Sequence, residues 1–244
     1  MEFITVYWWR ILISAVVSYL LGSFSFAIIF TKLAKNQDVR TMGSGNAGFT
    51  NVLRSVGVVP AIFTFAFDCL KGIIAMLFTM WLFGLDVDAA TQSISEASKY
   101  EYLTIAKCLA GMFCVLGHSF PVFFGFRGGK GVTTMAGILL IIDPMPWMLV
   151  LNLAVFFVFF LATKIISVGS LACTVSVPVW HFVMTYFFIY KPSLETSEPY
   201  SMTYVWVTTA IMFLIGLFVA ILHRQNIKRL IRGEEKKIKA KKKA

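Results

Sequence analysis

Long runs of apolar residues constrain this chain more than any other feature of its sequence. Hydrophobic residues occupy 58% of the 244 positions and charged residues only 14%, whereas soluble domains carry about a quarter charged residues. A helix needs about 20 apolar residues to cross the hydrocarbon core of a bilayer, and runs near this length recur along the chain. The sequence therefore predicts an all-α, polytopic integral membrane protein.

Seven apolar segments are candidates for membrane-spanning helices, and together they predict a seven-helix bundle. Their approximate ranges are 11–32, 58–83, 102–118, 132–142, 147–163, 168–190 and 203–222. The fourth is short for a full crossing, and an Asp-Pro-Met-Pro sequence forces a turn after it. Segment 132–163 is therefore expected to make either two crossings, one of them by a short helix, or a re-entrant hairpin. Either alternative leaves the two chain ends on opposite sides of the membrane.

The connecting segments differ in charge from one side of the bundle to the other. Loops 33–57 and 119–131 and the chain after Leu222 carry an excess of Lys and Arg. The loops of the other side hold most of the acidic residues: Asp86, Asp88, Glu96, Glu101, Asp143, Glu195 and Glu198. By the positive-inside rule, we expect the N-terminus outside the cell and the C-terminus in the cytosol.

The net charge of +10 comes largely from the C-terminal tail. Beside a membrane span, such a tail indicates contact with anionic lipid headgroups and not with nucleic acid. We expect residues 1–233 to form a single transmembrane domain and 234–244 to be a disordered, basic cytosolic tail. The four cysteines lie in apolar stretches without the spacing of metal ligands, so no metal site is predicted.

Two glycine-rich loops on the predicted cytosolic side carry the candidate chemistry. Residues 43–54 read Gly-Ser-Gly-Asn-Ala-Gly-Phe-Thr-Asn-Val-Leu-Arg, and residues 117–131 read Gly-His-Ser-Phe-Pro-Val-Phe-Phe-Gly-Phe-Arg-Gly-Gly-Lys-Gly. Glycines allow backbone N–H groups to turn toward one point, and the cations add positive charge, which suits a phosphate. The alternatives are a helix-capping loop with Ser44 or Asn46 as N-cap, and a basic loop that only obeys topology rules.

Several nucleotide and acyltransferase motifs can be excluded. The first loop matches G-x-G-x-x-G, but no strand precedes it, so dinucleotide binding is rejected. The second loop fails as a P-loop, because Phe124 replaces a glycine and Gly131 follows Lys130. A His-x4-Asp motif is absent, since Phe123 stands at that spacing from His118.

Other polar residues near the ends of the spans are also candidates. Asp68 and Lys71 are one helical turn apart, and we favour a structural ion pair over direct substrate contact. On a continuing helix after the last span, His223 and Asn226 would share a face.

Three sequence blocks, in order, resemble one family. They are Gly-Ser-Gly-Asn-x-Gly-x-Thr-Asn-Val-Leu-Arg, Gly-His-x-Phe-Pro-x-Phe-x-x-Phe-Arg-Gly-Gly-Lys-Gly-Val and His-Arg-x-Asn-Ile-x-Arg-Leu-x-x-Gly-x-Glu. Together they resemble the bacterial membrane acyltransferases that use acyl phosphate to acylate glycerol 3-phosphate, over about residues 10–235. Ala47 and Phe49 depart from the family pattern, which commonly has Pro and a small residue there.

The resemblance implies transfer of a fatty acyl group from acyl phosphate to the 1-hydroxyl of glycerol 3-phosphate, without a cofactor, in the bacterial cytoplasmic membrane. By motif position it assigns catalytic roles to Ser44, Asn46, Arg54, His118, Lys130, His223 and Asn226. It assigns phosphate contacts to Ser44, Gly45, Arg54, Gly128, Gly129, Lys130, Gly131, Ser167, Ser170 and Arg224.

Three points stay open at this stage. The phosphate of the acyl donor is our first choice as the acceptor of the hydroxyl proton, with His118 as the second. A transporter of phosphate or an organic phosphate is the alternative function, since half-helices with glycine-rich ends also build anion transport sites, and a non-catalytic scaffold is a third. The oligomeric state is not fixed, and a monomer suffices.

Overall fold

The computed structural model describes residues 2–85, 94–143 and 146–237, and all regular structure within them is helical. The first seven α-helices are α1 (Glu2–Gly22), α2 (Phe26–Lys35), α3 (Phe49–Ser55), α4 (Val58–Phe83), α5 (Glu96–Ser119), α6 (Val132–Ile141) and α7 (Trp147–Thr163). They continue with α8 (Ile166–Thr185), a π-helical turn (Tyr186–Tyr190), α9 (Lys191–Ser193), α10 (Met202–Leu222) and α11 (Arg224–Ile231). Short 3₁₀ turns occur at Val39–Thr41 and Val122–Phe124. The prediction of an all-helical chain is confirmed.

Five helical segments are long and apolar enough to cross a membrane, judged by length and composition. They are Thr5–Lys35, Val58–Phe83, Glu96–Phe124, Ile166–Ser193 and Met202–Leu222. The other two predicted spans form α6 and α7, with 10 and 17 residues. At 1.5 Å per residue α6 is about 15 Å long, roughly half the hydrocarbon thickness. The exact number of crossings stays a prediction.

Loops of like charge gather at each end of the bundle. At one end, Arg40 Nη1 donates to the carbonyl oxygen of Phe124 at 2.6 Å, and so ties the first glycine-rich loop to the second. We call this the basic end. At the opposite end, Ser201 Oγ donates to Glu101 at 2.9 Å and Arg10 Nη1 donates to the carbonyl of Phe83 at 3.3 Å. The predicted grouping of loops is therefore present, although Asp86, Asp88 and the tail beyond 237 lie outside the described residues.

The turn after α6 is held by a buried ion pair. Lys107, in the middle of α5, contacts the carboxylate of Asp143, and its side chain is only 3% exposed. Since α6 begins at the basic end and its following turn meets α5 halfway along, α6 is a short helix, which is compatible with both predicted alternatives. An unpaired charge at that depth would be costly, so this pair fixes where the chain reverses.

Glycines bring two pairs of helices into backbone contact. Between α1 and α5, a Cβ atom at Gly22 would lie 2.1 Å from the carbonyl of Cys114, and one at Gly117 would lie 2.1 Å from the carbonyl of Tyr19. Between α4 and α6, a Cβ atom at Gly137 would lie 2.0 Å from the carbonyl of Cys69. Small residues at such crossings let apolar helices pack closely without a hydrophobic driving force between them.

We expect Gly117→Ala to destabilise the protein. The added methyl group would collide with the α1 backbone, and overpacking of this kind costs about 1–3 kcal/mol. The measurement is the thermal unfolding midpoint in detergent. Gly84→Ala is the matched control, because its Cβ would approach no described atom closer than 3.3 Å. Equal midpoints for the two variants would show that the close α1–α5 crossing does not exist.

Candidate active site

A cavity of about 840 Å³ opens at the basic end of the bundle. Its polar lining comes from the glycine-rich loops and from the start of α8 and α11. Its apolar lining comes from Met135, Ala136, Leu139, Leu149, Leu153, Phe156 and Phe157 of α6 and α7, with Phe65 of α4, and Asn152 of α7 is a polar residue among them. The cavity therefore combines a polar region with a mostly apolar wall formed by α6 and α7.

The N-termini of four helices converge on the polar region. Residues in the first turns of α3, α6, α8 and α11 all line it, including Thr50, Thr133, Ser167 and Gln225. The first N–H groups of a helix have no partner within the helix, and the helix dipole makes this end electropositive. Four such ends around one cavity form a site for an anion.

The buried side chain of Asn51 shapes the first loop. Its Nδ2 lies 3.0 Å from the carbonyls of Val39, Met42 and Asn46, and its Oδ1 accepts the Ser44 N–H at 3.0 Å. Gly43 and Gly45 adopt positive φ of 55° and 72°, a conformation that favours glycine. The exposed hydroxyl of Ser44 and the side chain of Asn46 reach the cavity as predicted.

The predicted phosphate contacts through the N–H groups of Gly128 and Gly129 are wrong. These groups already donate to the carbonyls of Ser119 and His118, both at 3.1 Å, and so close the C-terminus of α5. Neither residue lines the cavity. Both positions need glycine because the chain is crowded: a Cβ at Gly128 would lie 2.0 Å from the His118 carbonyl, and one at Gly129 would lie 2.2 Å from His118 Nε2.

Lys130 reaches into the cavity and meets the C-terminal block. Its ammonium donates to Oδ1 of Asn226, whose Nδ2 donates to Glu235 at 2.7 Å. Glu235 also accepts hydrogen bonds from Ser167 at 2.8 Å and from Arg229 at 2.5 Å. Burial, followed by the nearby Arg229 guanidinium, lowers the pKa of Lys130 to about 8. Partial burial raises the pKa of Glu235, but its hydrogen bonds outweigh this and bring the pKa below its usual value.

His223 is held as a neutral imidazole. Its Nδ1 lies 2.8 Å from the carbonyl of Val219, so Nδ1 carries the proton and Nε2 is an acceptor. Burial and the positive charge of Lys130 lower the pKa of His223 to about 4. The prediction that His223 and Asn226 share a face is confirmed, since both line the cavity from the first turn of α11.

The predicted pair of Asp68 and Lys71 is confirmed, with 2.8 Å between the carboxylate and the ammonium. Lys71 also donates to the carbonyls of Gly22 and Phe24, at 3.0 and 2.9 Å, and so joins α4 to the junction of α1 and α2. His118 at the end of α5 lies 2.8 Å from the same ammonium. The pair therefore positions the residues around His118, as expected for a structural role.

Of the predicted site residues, the structure brings together around the cavity all but Gly128 and Gly129. They are Ser44, Gly45, Asn46, Arg54, His118, Lys130, Gly131, Ser167, Ser170, His223, Arg224 and Asn226. The sequence reasoning missed Arg229 and Glu235 as site residues, although both belong to the third block that carried the resemblance. Residues 234–236 of the predicted tail line the cavity, and Glu235 bonds Ser167 and Asn226; the domain boundary itself stays a prediction.

Comparisons with known proteins show the family of this chain. Residues 12–233 match the family model described as glycerol-3-phosphate acyltransferase. The glycerol-3-phosphate acyltransferase of Thermoanaerobacter sp. (strain X514) is 33% identical, over 93% of this chain and 94% of the relative. That of Bacillus subtilis (strain 168) is 35% identical, over 92% and 95%.

A solved structure has the same fold. The crystal structure of PlsY, an integral membrane glycerol 3-phosphate acyltransferase in its glycerol 3-phosphate form, superimposes with a TM-score of 0.72 at 32% identity. The match covers 94% of this chain and 96% of that one. The lysophosphatidic acid form of PlsY gives a TM-score of 0.68. The chain is an integral membrane protein and belongs to the glycerol-3-phosphate acyltransferase family.

Proposed function

We propose that this protein transfers a fatty acyl group from acyl phosphate to the 1-hydroxyl of glycerol 3-phosphate, giving 1-acyl-glycerol 3-phosphate (lysophosphatidate) and phosphate. The observation that carries the proposal is the cavity itself. Four helix N-termini and the side chains of Lys130 and Arg54 provide for phosphate, and the apolar wall of α6 and α7 provides for an acyl chain. The PlsY crystal forms with glycerol 3-phosphate and lysophosphatidic acid support this choice of acceptor and product.

The polar groups divide into two sets by the elements that carry them. Ser44, Asn46 and Arg54 come from the first loop and α3. Ser167 comes from the start of α8, and the residues from His223 to Asn226 come from the start of α11. Lys130 lies next to the second set, through its bond to Asn226. We infer that the two sets hold the two phosphate-bearing substrates, with Lys130 contacting a phosphate oxygen.

The chemistry depends on positioning and charge. Acyl phosphate already has a good leaving group, so a covalent enzyme nucleophile is unnecessary. The neutral Nε2 of His223 can accept a hydrogen bond from the attacking hydroxyl, but a pKa of about 4 makes it a weak base. A phosphate oxygen, with a second pKa of about 6, is the better proton acceptor. We therefore infer that the phosphate of the acyl donor takes the proton as the acyl–oxygen bond forms and the acyl–phosphate bond breaks.

The membrane arrangement follows from the same geometry. We propose that the basic end faces the cytosol of a bacterial cell, that the protein lies in the cytoplasmic membrane, and that its partners are the two substrates and membrane lipid. Both substrates reach the cavity from the basic end or its lipid-facing side. Nothing in the site requires a second copy of the chain or a nucleic acid.

We expect purified protein in nanodiscs to release phosphate from acyl phosphate only when glycerol 3-phosphate is present. No comparable rate is expected with acyl-coenzyme A, because the cavity holds no recognisable module for the nucleotide part of that donor. The measurement is phosphate release together with the formed lysophosphatidate. Uptake of glycerol 3-phosphate into proteoliposomes without an acyl donor, and without product, would instead identify a transporter.

Lys130 provides a sharper test of the phosphate site. Removing a charge-assisted contact worth about 1.5–3 kcal/mol or more predicts that Lys130→Ala lowers kcat/KM by roughly ten- to several-hundred-fold. Lys32→Ala is the control, because Lys32 is an exposed cation at the same end and does not line the cavity. Near-wild-type activity of Lys130→Ala would contradict the role, and equal losses in both variants would point to general surface charge.

The same residue predicts a pH dependence. With a pKa of about 8, Lys130 is charged below pH 8 and loses its charge above it. The kcat/KM of the wild type should therefore fall as the pH rises through about 8. Lys130→Arg should move this decline to higher pH, since a guanidinium stays protonated.

The orientation is tested by cysteine labelling in intact cells. Ser197→Cys, at the end opposite the cavity, should react with a membrane-impermeant thiol reagent, and Gln37→Cys, at the basic end, should not. Both positions are exposed. The wild type, with its four native cysteines, gives the background. The reverse labelling pattern would place the cavity on the outer face and contradict the proposed location.

A further inference from the structure

We propose that His118 serves the acyl transfer as a hydrogen-bond donor through its Nε2–H, and that Lys71 fixes the imidazole in the tautomer this requires. The Nε2–H of His118 donates its hydrogen bond to an oxygen of the acyl phosphate. This inference rests on the proposed function for the identity of that ligand, but the tautomer stands on the geometry of the free protein. It assigns a role to three buried polar groups, Asp68, Lys71 and His118, that the charge-based mechanism leaves unused.

The tautomer follows from a count of hydrogens at Lys71. An ammonium has three N–H donors and no lone pair. Three acceptors are hydrogen-bonded to it: the carbonyls of Gly22 and Phe24, at 3.0 and 2.9 Å, and Nδ1 of His118 at 2.8 Å. The carboxylate of Asp68, also at 2.8 Å, contacts the ammonium as an ion pair without hydrogen-bond geometry. Because the ammonium cannot accept a proton, Nδ1 must offer its lone pair.

Asp68, the remaining charged neighbour, does not change the conclusion that Nδ1 of His118 is unprotonated. Asp68 balances the ammonium at 2.8 Å, but its carboxylate oxygen is 3.6 Å from His118 Nδ1, which is too long for a hydrogen bond. The loop packed against the ring from the other side contributes the backbone of Gly129, which carries no charge. The proton of the neutral imidazole therefore lies on Nε2.

The Nε2–H is directed where a ligand can use it. His118 lines the cavity, and within the described part of the chain no group is hydrogen-bonded to Nε2. Any side chain at position 129 would cover the ring, since a Cβ there would lie 2.2 Å from Nε2. The glycine at 129 thus brings only its backbone against the Nε2 edge of the imidazole and keeps a side chain out of that space. A neutral N–H donor of this kind stabilises negative charge that develops on an oxygen during the reaction.

His118 and His223 are then complementary. His223 donates through Nδ1 to a backbone carbonyl and offers Nε2 as an acceptor, whereas His118 accepts at Nδ1 and offers Nε2–H as a donor. A hydroxyl that attacks needs an acceptor, and an acyl donor that gains negative charge needs a donor. Lys71 is a positioning residue in this scheme, and His118 is the residue in contact with the substrate.

The first experiment is ¹⁵N NMR of the wild-type protein labelled at its three histidines, in nanodiscs. His118→Gln identifies the His118 signals by their loss. We expect the pattern of a neutral Nε2–H imidazole in the free protein. An Nδ1–H pattern would overturn the proposal whatever the activity assay gives. In folded Lys71→Met, Nδ1 is free to donate to Asp68, so we expect the proton to leave the fixed tautomer; an unchanged pattern would refute the role of Lys71.

The second experiment is activity with acyl phosphate and glycerol 3-phosphate. Gln can present an N–H donor near the position of Nε2, so His118→Gln should retain activity within about tenfold of the wild type, whereas His118→Phe should lose on the order of a hundredfold. A loss in kcat would assign the acyl carbonyl oxygen as the acceptor, and a rise in KM would assign a phosphate oxygen. Equal and large losses in both variants would contradict the donor role.

His181→Phe is the matched control for the activity series. His181 is fully buried in α8 and does not line the cavity, so this change should leave turnover unaltered. If the wild type itself fails to turn over the two substrates, the proposed function fails, and the NMR result still decides the tautomer. Thermal unfolding midpoints of all variants identify any that are merely misfolded, and the wild-type spectrum needs no variant to test the tautomer.

Discussion

The structure depends on four helix N-termini that meet in one cavity. Inside a bilayer, backbone polar groups without partners are expensive, and they are tolerated where they line a water-filled or ligand-filled space. The start of α6 is such a place. Because α6 begins at the cavity and ends at the Lys107–Asp143 pair, its length is set by two polar requirements and not by the thickness of the membrane. Close contact between α4 and α6 at Gly137 then fixes the depth at which α6 begins.

In the unliganded protein, a carboxylate partly balances the positive charge at the cavity. Burial, followed by the nearby Arg229 guanidinium, lowers the pKa of Lys130, and the Glu235 carboxylate partly offsets this effect. Glu235 receives hydrogen bonds from Ser167, Asn226 and Arg229, which are donors of the kind a phosphate uses. The second and third sequence blocks therefore act together: Lys130 and Arg229 are balanced by Glu235, and an entering phosphate adds negative charge to this group.

Much of the fold and most of the site could be predicted from the sequence, for identifiable physical reasons. Apolar runs give helices, and alternate crossings bring the odd-numbered loops to one end, so Ser44, Lys130 and Asn226 were expected to meet despite their separation in the chain. The roles of Gly128 and Gly129 could not be predicted, because a glycine that frees an N–H and a glycine that makes room look alike in sequence. Only the path of the chain past His118 shows that these two make room.

Glu235 was missed for a different reason. The basic composition of the tail predicts disorder. Composition describes the segment as a whole, so it cannot show that one residue in it, Glu235, has hydrogen-bond partners elsewhere in the chain. Its contacts with Ser167 and Arg229 require the chain to turn back after α11, and the positive φ of 70° at Gly233 makes that turn accessible. The feature of the sequence that could have predicted Glu235 as a site residue is its position at the end of the third block. The residues around it in the tail gave no such indication.

The two histidines at the cavity show why no strong base is needed. Each nitrogen of a neutral imidazole can be a donor or an acceptor, and a hydrogen bond at one nitrogen fixes the role of the other. Here the Nδ1 of each ring has a different partner: the carbonyl of Val219 for His223 and the ammonium of Lys71 for His118. Burial and the charge of Lys130 keep His223 neutral, and the lone pair that His118 gives to Lys71 leaves only its Nε2 to carry a proton. Neither ring is then a strong base, which leaves proton transfer to the phosphate. An enzyme that acts on an activated acyl donor gains more from fixed dipoles than from a mobile proton, because fixed dipoles need no reorganisation as charge develops.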